Sequence, residues 1–130
     1  MGVAVLLDTH AFYWAVAQPE RLGPRALAII RDPTSTLSVS AASACEVGSK
    51  VRLGRWPEAE SLLRRWAGVV RQLGAIEAPL TSRQMLMASS MAADHRDPFD
   101  RMLADQAVDL GVAIITREAA FDALACDIVW

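Results

Sequence analysis

The stretch VAVLLDTHAFYW, residues 3–14, decides the fold. Val3 to Leu7 are apolar without a break, the pattern of a strand covered on both faces, whereas a half-exposed strand would alternate. Asp8 interrupts the run. Thr9 to Ala17 then reads as a helix that stops before Pro19. Strand, short polar turn and helix form the repeating unit of parallel α/β sheets.

The same unit recurs further along the chain. Pro24 suits the first turn of a helix running to about Arg31, which Asp32-Pro33 stops. Leu37 to Ser40 is a short strand, and a helix from Ala42 to Leu53 follows it and ends at Gly54. Residues 58–73 give the clearest helix, with Ala59, Leu62, Leu63, Trp66, Ala67, Val70 and Leu73 at spacings of three and four. Ala75 to Ala78 is a short strand. Ser82 to Met91 is a helix whose methionines read as core filling. Phe99, Met102, Leu103, Ala107 and Leu110 share one face of another helix, which Gly111 terminates. Val112 to Ile115 is a buried strand, residues 118–124 a short helix, and Asp127 to Trp130 a last edge strand. The alternation makes an α/β fold around a parallel sheet, and 130 residues suit one domain, 1–130.

Composition narrows the function classes. Apolar residues make up 53% of the chain, too many for a disordered protein. The longest apolar runs are too short to span a bilayer, and MGVAVLLDTH lacks the basic start of a signal peptide. Cys45 and Cys126 fit no zinc or redox spacing and read as buried, reduced thiols. A cytoplasmic protein with no membrane attachment is therefore expected. The net charge of −2 hides an asymmetry. Residues 50–71 carry a local balance of +4 and residues 94–127 one of −5. The first could grip phosphates and the second hold a cation, or both could be solvated helical faces. Twelve of the thirteen basic residues are arginine, which suits phosphate recognition, although genome composition explains that equally well.

Four acids draw attention by where the topology puts them. Parallel strands share a direction, so their carboxyl ends share one edge, where ligand sites of open α/β sheets lie. Asp8 follows the first strand directly. Glu46 lies early in the helix leaving the LSVS strand. Glu118 lies just beyond the VAII strand. Asp100 begins the helix that returns to VAII through the Gly111 turn, which places that beginning at the same edge. Two unit charges about 4 Å apart repel by about 4 kcal/mol at an effective dielectric near 20. Such a cluster calls for protonation or a cation. All-carboxylate ligands without His or Cys select Mg²⁺ or Mn²⁺. With no protein nucleophile in view, that chemistry points to phosphodiester hydrolysis by water.

Each acid also has a local structural reading. Asp8 fits an N-cap of the helix at Thr9. Glu46 stands four residues before Lys50, the spacing of an ion pair. Asp97 before Pro98 is a good N-cap, which leaves Asp100 in the first turn, where the helix dipole favours a carboxylate. Glu118 fits a solvated first-turn acid. His10 and His95 read as packing or hydrogen-bonding residues.

The blocks LLDTHAFYW, SAASACEVGSK, HRDPFDRMLADQA and IITREAAF, in this order, resemble those of PIN-domain ribonucleases, most closely the VapC-type toxins of bacterial toxin–antitoxin pairs. The resemblance covers essentially the whole chain. It implies a three-layer sandwich, with helices on both faces of a central parallel sheet of four or five strands. It implies a Mg²⁺- or Mn²⁺-dependent endoribonuclease with catalytic and metal-binding acids at Asp8, Glu46, Asp100 and Glu118. Thr116, Asp97 and Ser43 would stand behind them, and Ser40 and Lys50 also match the pattern around Glu46. Two positions depart from the family: Glu118 where Asp is usual, and Cys45 where Trp is common. The resemblance further implies an RNA substrate and a cognate antitoxin. Lys50, Arg52 and Arg55 are the candidate RNA contacts. A homodimer is expected, and one face of the helical pair around residues 58–91, which carries Trp56 and Trp66, fits a homodimer or an antitoxin surface; the other reading of that face is simple core, which Trp66 fits better.

Other classes fit less well. A phospho-acceptor receiver domain needs an acidic pair where only Asp8 stands. A haloacid-dehalogenase-like phosphatase needs an acid at position 10, which is His10. A PIN scaffold with weak or no catalysis that binds RNA or a protein is the alternative reading.

Overall fold

The chain turns from strand to helix at Asp8. The computed structural model describes residues 2–90, 97–124 and 126–130. Asp94, His95, Arg96 and Met91 lie outside the described residues. Strand β1 (Ala4–Leu7) is followed by α1 (Thr9–Ala17) and, after a 3-10 turn at Pro19–Arg21, by α2 (Pro24–Arg31). Strand β2 (Thr36–Ser40) leads into α3 (Ala41–Arg52). A 3-10 turn at Pro57–Ala59 precedes α4 (Glu60–Arg64) and α5 (Trp66–Gln72). Then come β3 (Ala75–Ala78), α6 (Ser82–Ser90), α7 (Pro98–Leu110), β4 (Ala113–Ile115), a 3-10 turn at Ala119–Leu124 and β5 (Ile128–Val129).

The described strands form one parallel sheet in the order β3-β2-β1-β4-β5. β1 lies at its centre, Leu7 pairing with Val39 on one side and Ile115 on the other. This is why the run from Val5 to Leu7 is uniformly apolar. Val5 and Leu7 point into one core with Phe12, Trp14, Val39, Val47, Leu62, Val69 and Val70. Leu6 points into a second core with Ala42, Leu103, Ala107, Ile114 and Phe121. Helices α1 to α5 supply the first core and α7 with the last 3-10 turn the second, which makes the three-layer sandwich.

Three local readings are corrected. Residues 58–73 are not one helix, because the backbone leaves helical geometry at Arg65 (φ −114°, ψ 21°). The break turns Val69 into the core and leaves Ala67 exposed, and Trp66 meets the buried Phe12 edge-on at 5.1 Å. Met85 and Met87 are half-buried at the rim of α6 rather than filling a core. Cys45 is exposed, because α3 turns Glu46 and Val47 inward and leaves its neighbour outside; Cys126 is buried. Among the described residues no helix is long and apolar enough to cross a membrane.

Candidate active site

The carboxyl edge of the sheet is built by the ends of β1, β2 and β4. The Asp8 amide donates to the Ile115 carbonyl at 3.0 Å, so the sheet pairing continues one residue past β1 and places the Asp8 side chain at the rim. Asp8 is both cap and buried acid. Its Oδ1 accepts from the Ala11 amide at 2.7 Å, closing the first turn of α1. Burial pushes its carboxyl up to about 6, and the negative charges of Asp100 and Glu46 push the same way. Hydrogen bonds from the Thr116 hydroxyl and the Ala11 amide oppose the rise without cancelling it. Thr116 is fully buried at the end of β4 and also accepts from the Glu118 amide at 3.0 Å.

Glu46 reaches the rim from the second turn of α3, a helix capped by Ser40, whose Oγ accepts from the Ala42 amide at 3.0 Å. Glu46 is 3% exposed, so its contact with Lys50 is not the surface ion pair that the spacing alone suggests. Lys50 Nζ meets Oε2. Thr9 Oγ1 lies 2.6 Å from Oε1 and 2.9 Å from Ser43 Oγ. A hydroxyl has one proton, so Thr9 donates to the carboxylate and accepts from Ser43. Thr9 is the functional neighbour that the sequence reading passed over. Its position immediately after the acid that ends β1 was the available signal.

Asp97 caps α7 as expected, its Oδ1 accepting from the Phe99 amide at 2.9 Å with Pro98 at the first helical position. Asp100 follows in the first turn, half-buried, with its charge felt at Asp8. Asp100 and Glu46 thus both act electrostatically on Asp8. Glu118 stands apart from that trio: it is exposed, and its charge acts on His10. His10 stacks on Trp56 with ring centroids 4.6 Å apart. Its imidazole is held below its usual range by loss of hydration and by Lys50, against the opposing pull of Glu46 and Glu118. Arg52 and Arg55 are exposed around the end of α3. Among the described residues, no three carboxylate, imidazole or thiol groups converge closely enough to enclose a metal ion.

A family model described as PIN domain matches residues 5–125. No curated protein matches the chain. Among solved structures, the fold is similar to that of VapBC2 from Rickettsia felis bound to a DNA fragment from their promoter. The TM-score there is 0.67 at 9% identity, over 97% of this chain and 97% of that one. It is also similar to FitAB bound to an IR36 DNA fragment, with a TM-score of 0.59 at 19% identity over 96% and 93% of the two chains. FitAcB from Neisseria gonorrhoeae gives 0.52 at 20% identity over 97% and 96%. At these identities the likeness is one of fold.

Proposed function

Because the chain belongs to the PIN domain family, we propose that it is a metal-dependent endoribonuclease and the VapC-type toxin of a toxin–antitoxin pair. The observation that carries this reading is the buried Asp8 at the carboxyl edge, pushed up to about 6 with Asp100 and Glu46 both repelling its charge. A divalent cation at this edge would offset the repulsion that Asp100 and Glu46 exert on Asp8 once Asp8 is ionised.

The donor set fits Mg²⁺ or Mn²⁺. These ions take oxygen ligands, and Mg²⁺ is typically held by one or two carboxylates, its remaining positions going to water and substrate phosphate. An enclosed protein cage is therefore not required. Asp8 and Asp100 are the assigned ligands. When bound, the ion supplies an activated water and neutralises charge on the phosphoryl group. Thr116 and the Ala11 amide hold Asp8 in one orientation. Glu46 is held by Thr9 and Lys50 and keeps lone pairs to orient the attacking water and take its proton. Glu118 is assigned an outer role, through water or at a second ion. Water attack with the 3′ oxygen leaving yields 5′-phosphate and 3′-hydroxyl ends. Arg52 and Arg55 are assigned to RNA phosphates beyond the site.

A cognate antitoxin is the assigned protein partner, in line with the VapBC2 and FitAB assemblies. A groove of about 460 Å³ between α1 and α4–α5, lined by Tyr13, Val16, Glu58, Leu62, Arg65 and Gln72 among others, is the seat assigned to it, with polar and apolar groups mixed along its walls. We assign a homodimer and a cytoplasmic location on the same family grounds.

Incubation of single-stranded RNA with the protein and Mn²⁺ tests the reading. Several kcal/mol of transition-state stabilisation correspond to about 100-fold or more in rate. Asp8→Ala and Asp100→Ala should each lose that much, and a chelator should abolish cleavage. Variants that cut as fast as the wild type would leave the inactive-scaffold alternative standing.

A further inference from the structure

Beside the carboxylates runs a strip of aromatic and cationic side chains that hydrolysis itself does not require. Trp14 is its floor, 6% exposed, with Trp130 edge-on at 5.9 Å. Arg117 lies over the Trp14 ring, its Cζ 4.6 Å from the centroid. His10 is 5.6 Å from Trp14 on centroids and stacks on the half-buried Trp56. Arg117 and His10 are the exposed members. The strip adjoins the acids through the chain itself. Arg117 follows Thr116, whose hydroxyl bonds to Asp8, and His10 is within electrostatic reach of Glu46 and Glu118.

Arg117 forms no ion pair among the described residues, although Glu118 is its chain neighbour. Its charge is therefore not committed to a carboxylate. A surface guanidinium is ordinarily free to rotate, and contact with an indole limits that freedom. The group lies over Trp14, and the residue as a whole stays exposed at the rim. Exposed arginine planes and aromatic rings are what unpaired RNA bases stack on. A duplex does not offer a base in that way, so the strip favours single strands.

We propose that Arg117, laid over Trp14 beside His10, is the stacking platform for a nucleobase of single-stranded RNA adjoining the scissile phosphate. Arg117 is thus a specificity-determining residue, and this rests on the nuclease reading above. The platform acts through a planar group, so charge alone cannot replace it.

The test compares binding of an oligoadenylate of about 12 nucleotides, within the range of single-strand site sizes, with an abasic ribose-phosphate oligomer of equal length. Anisotropy is read in Ca²⁺, with RNA intactness checked on a gel, and cleavage of the oligoadenylate is followed separately in Mn²⁺. The wild type should prefer the base-bearing strand by about tenfold. Arg117→Ala and Arg117→Lys should both lose that preference while melting like the wild type. An unaltered preference in Arg117→Lys shows a point charge and overturns the platform. So does a wild type that cleaves RNA yet binds both strands equally, an outcome that leaves the nuclease reading intact. A wild type that neither binds nor cleaves RNA overturns both.

Discussion

Asp8 does two jobs with one carboxyl group. It closes the first turn of α1, and it sits with two other acids at the sheet edge. Its pH behaviour follows from the raised value. The folded form holds the proton up to about 6, while an unfolded Asp releases it near 3.8. Between those values the folded chain binds more protons than the unfolded one, so metal-free stability falls as pH rises from 4 to 6. A shift of this size at Asp8 is worth on the order of 3 kcal/mol. Asp8→Asn keeps a good N-cap residue and should flatten that slope, as read by denaturant unfolding at several pH values. An equal slope in the variant would place the titration elsewhere. Protons also compete with a cation for Asp8, so cation affinity should weaken as pH drops below about 6. All of the residues that carry this behaviour were legible as candidates. Their local roles were not, because a cap, an ion pair and a buried acid leave the same letters in a sequence.

At the scale of elements, α7 depends on its two ends. Asp97 caps its start and Gly111 ends it at φ 68°, a left-handed conformation that costs a residue with a Cβ about 1 kcal/mol or more. The start also delivers Asp100 to the rim. Asp97→Ala should cost about 1 kcal/mol of stability in denaturant titration. It should also slow cleavage by more than that loss would cause, since the first turn that carries Asp100 loses its anchor. Loss of stability with unchanged cleavage would show that Asp100 needs no such support. Both boundaries of α7 were readable, because Asp-Pro and Gly act within a few residues. The break at Arg65 was not. Apolar spacing continues across α4 and α5, while the backbone breaks at Arg65 and residues on both sides of the break pack into the first core.

For the whole molecule, the central position of β1 sets the site. It places Asp8 at the middle of the carboxyl edge, so Glu46 and Asp100, both remote in sequence, act electrostatically on it. A cation held by Asp8 and Asp100, as proposed, would bind the folded chain alone and should stabilise it. At one hundred times its dissociation constant the gain is about 2.7 kcal/mol, or roughly 10 °C in a domain of this size. Mn²⁺ at pH 7.5 should raise the melting temperature on that scale, and Asp100→Asn should remove the rise. No shift at millimolar Mn²⁺ would count against an ion at the carboxyl edge. The amino-acid sequence by itself determined the class of fold, the succession of strands and helices apart from the break at Arg65, and which acids are candidates. Those follow from periodicity, caps and apolar runs, which are short-range properties. Only the tertiary structure decided that Asp100 and Glu46 act on Asp8 while the charge of Glu118 is felt at His10, that Thr9 anchors Glu46, and that Arg117 lies over Trp14. These are contacts between side chains from separate elements, and they depend on the order of the strands and the angles of the helices, which no local pattern of residues specifies.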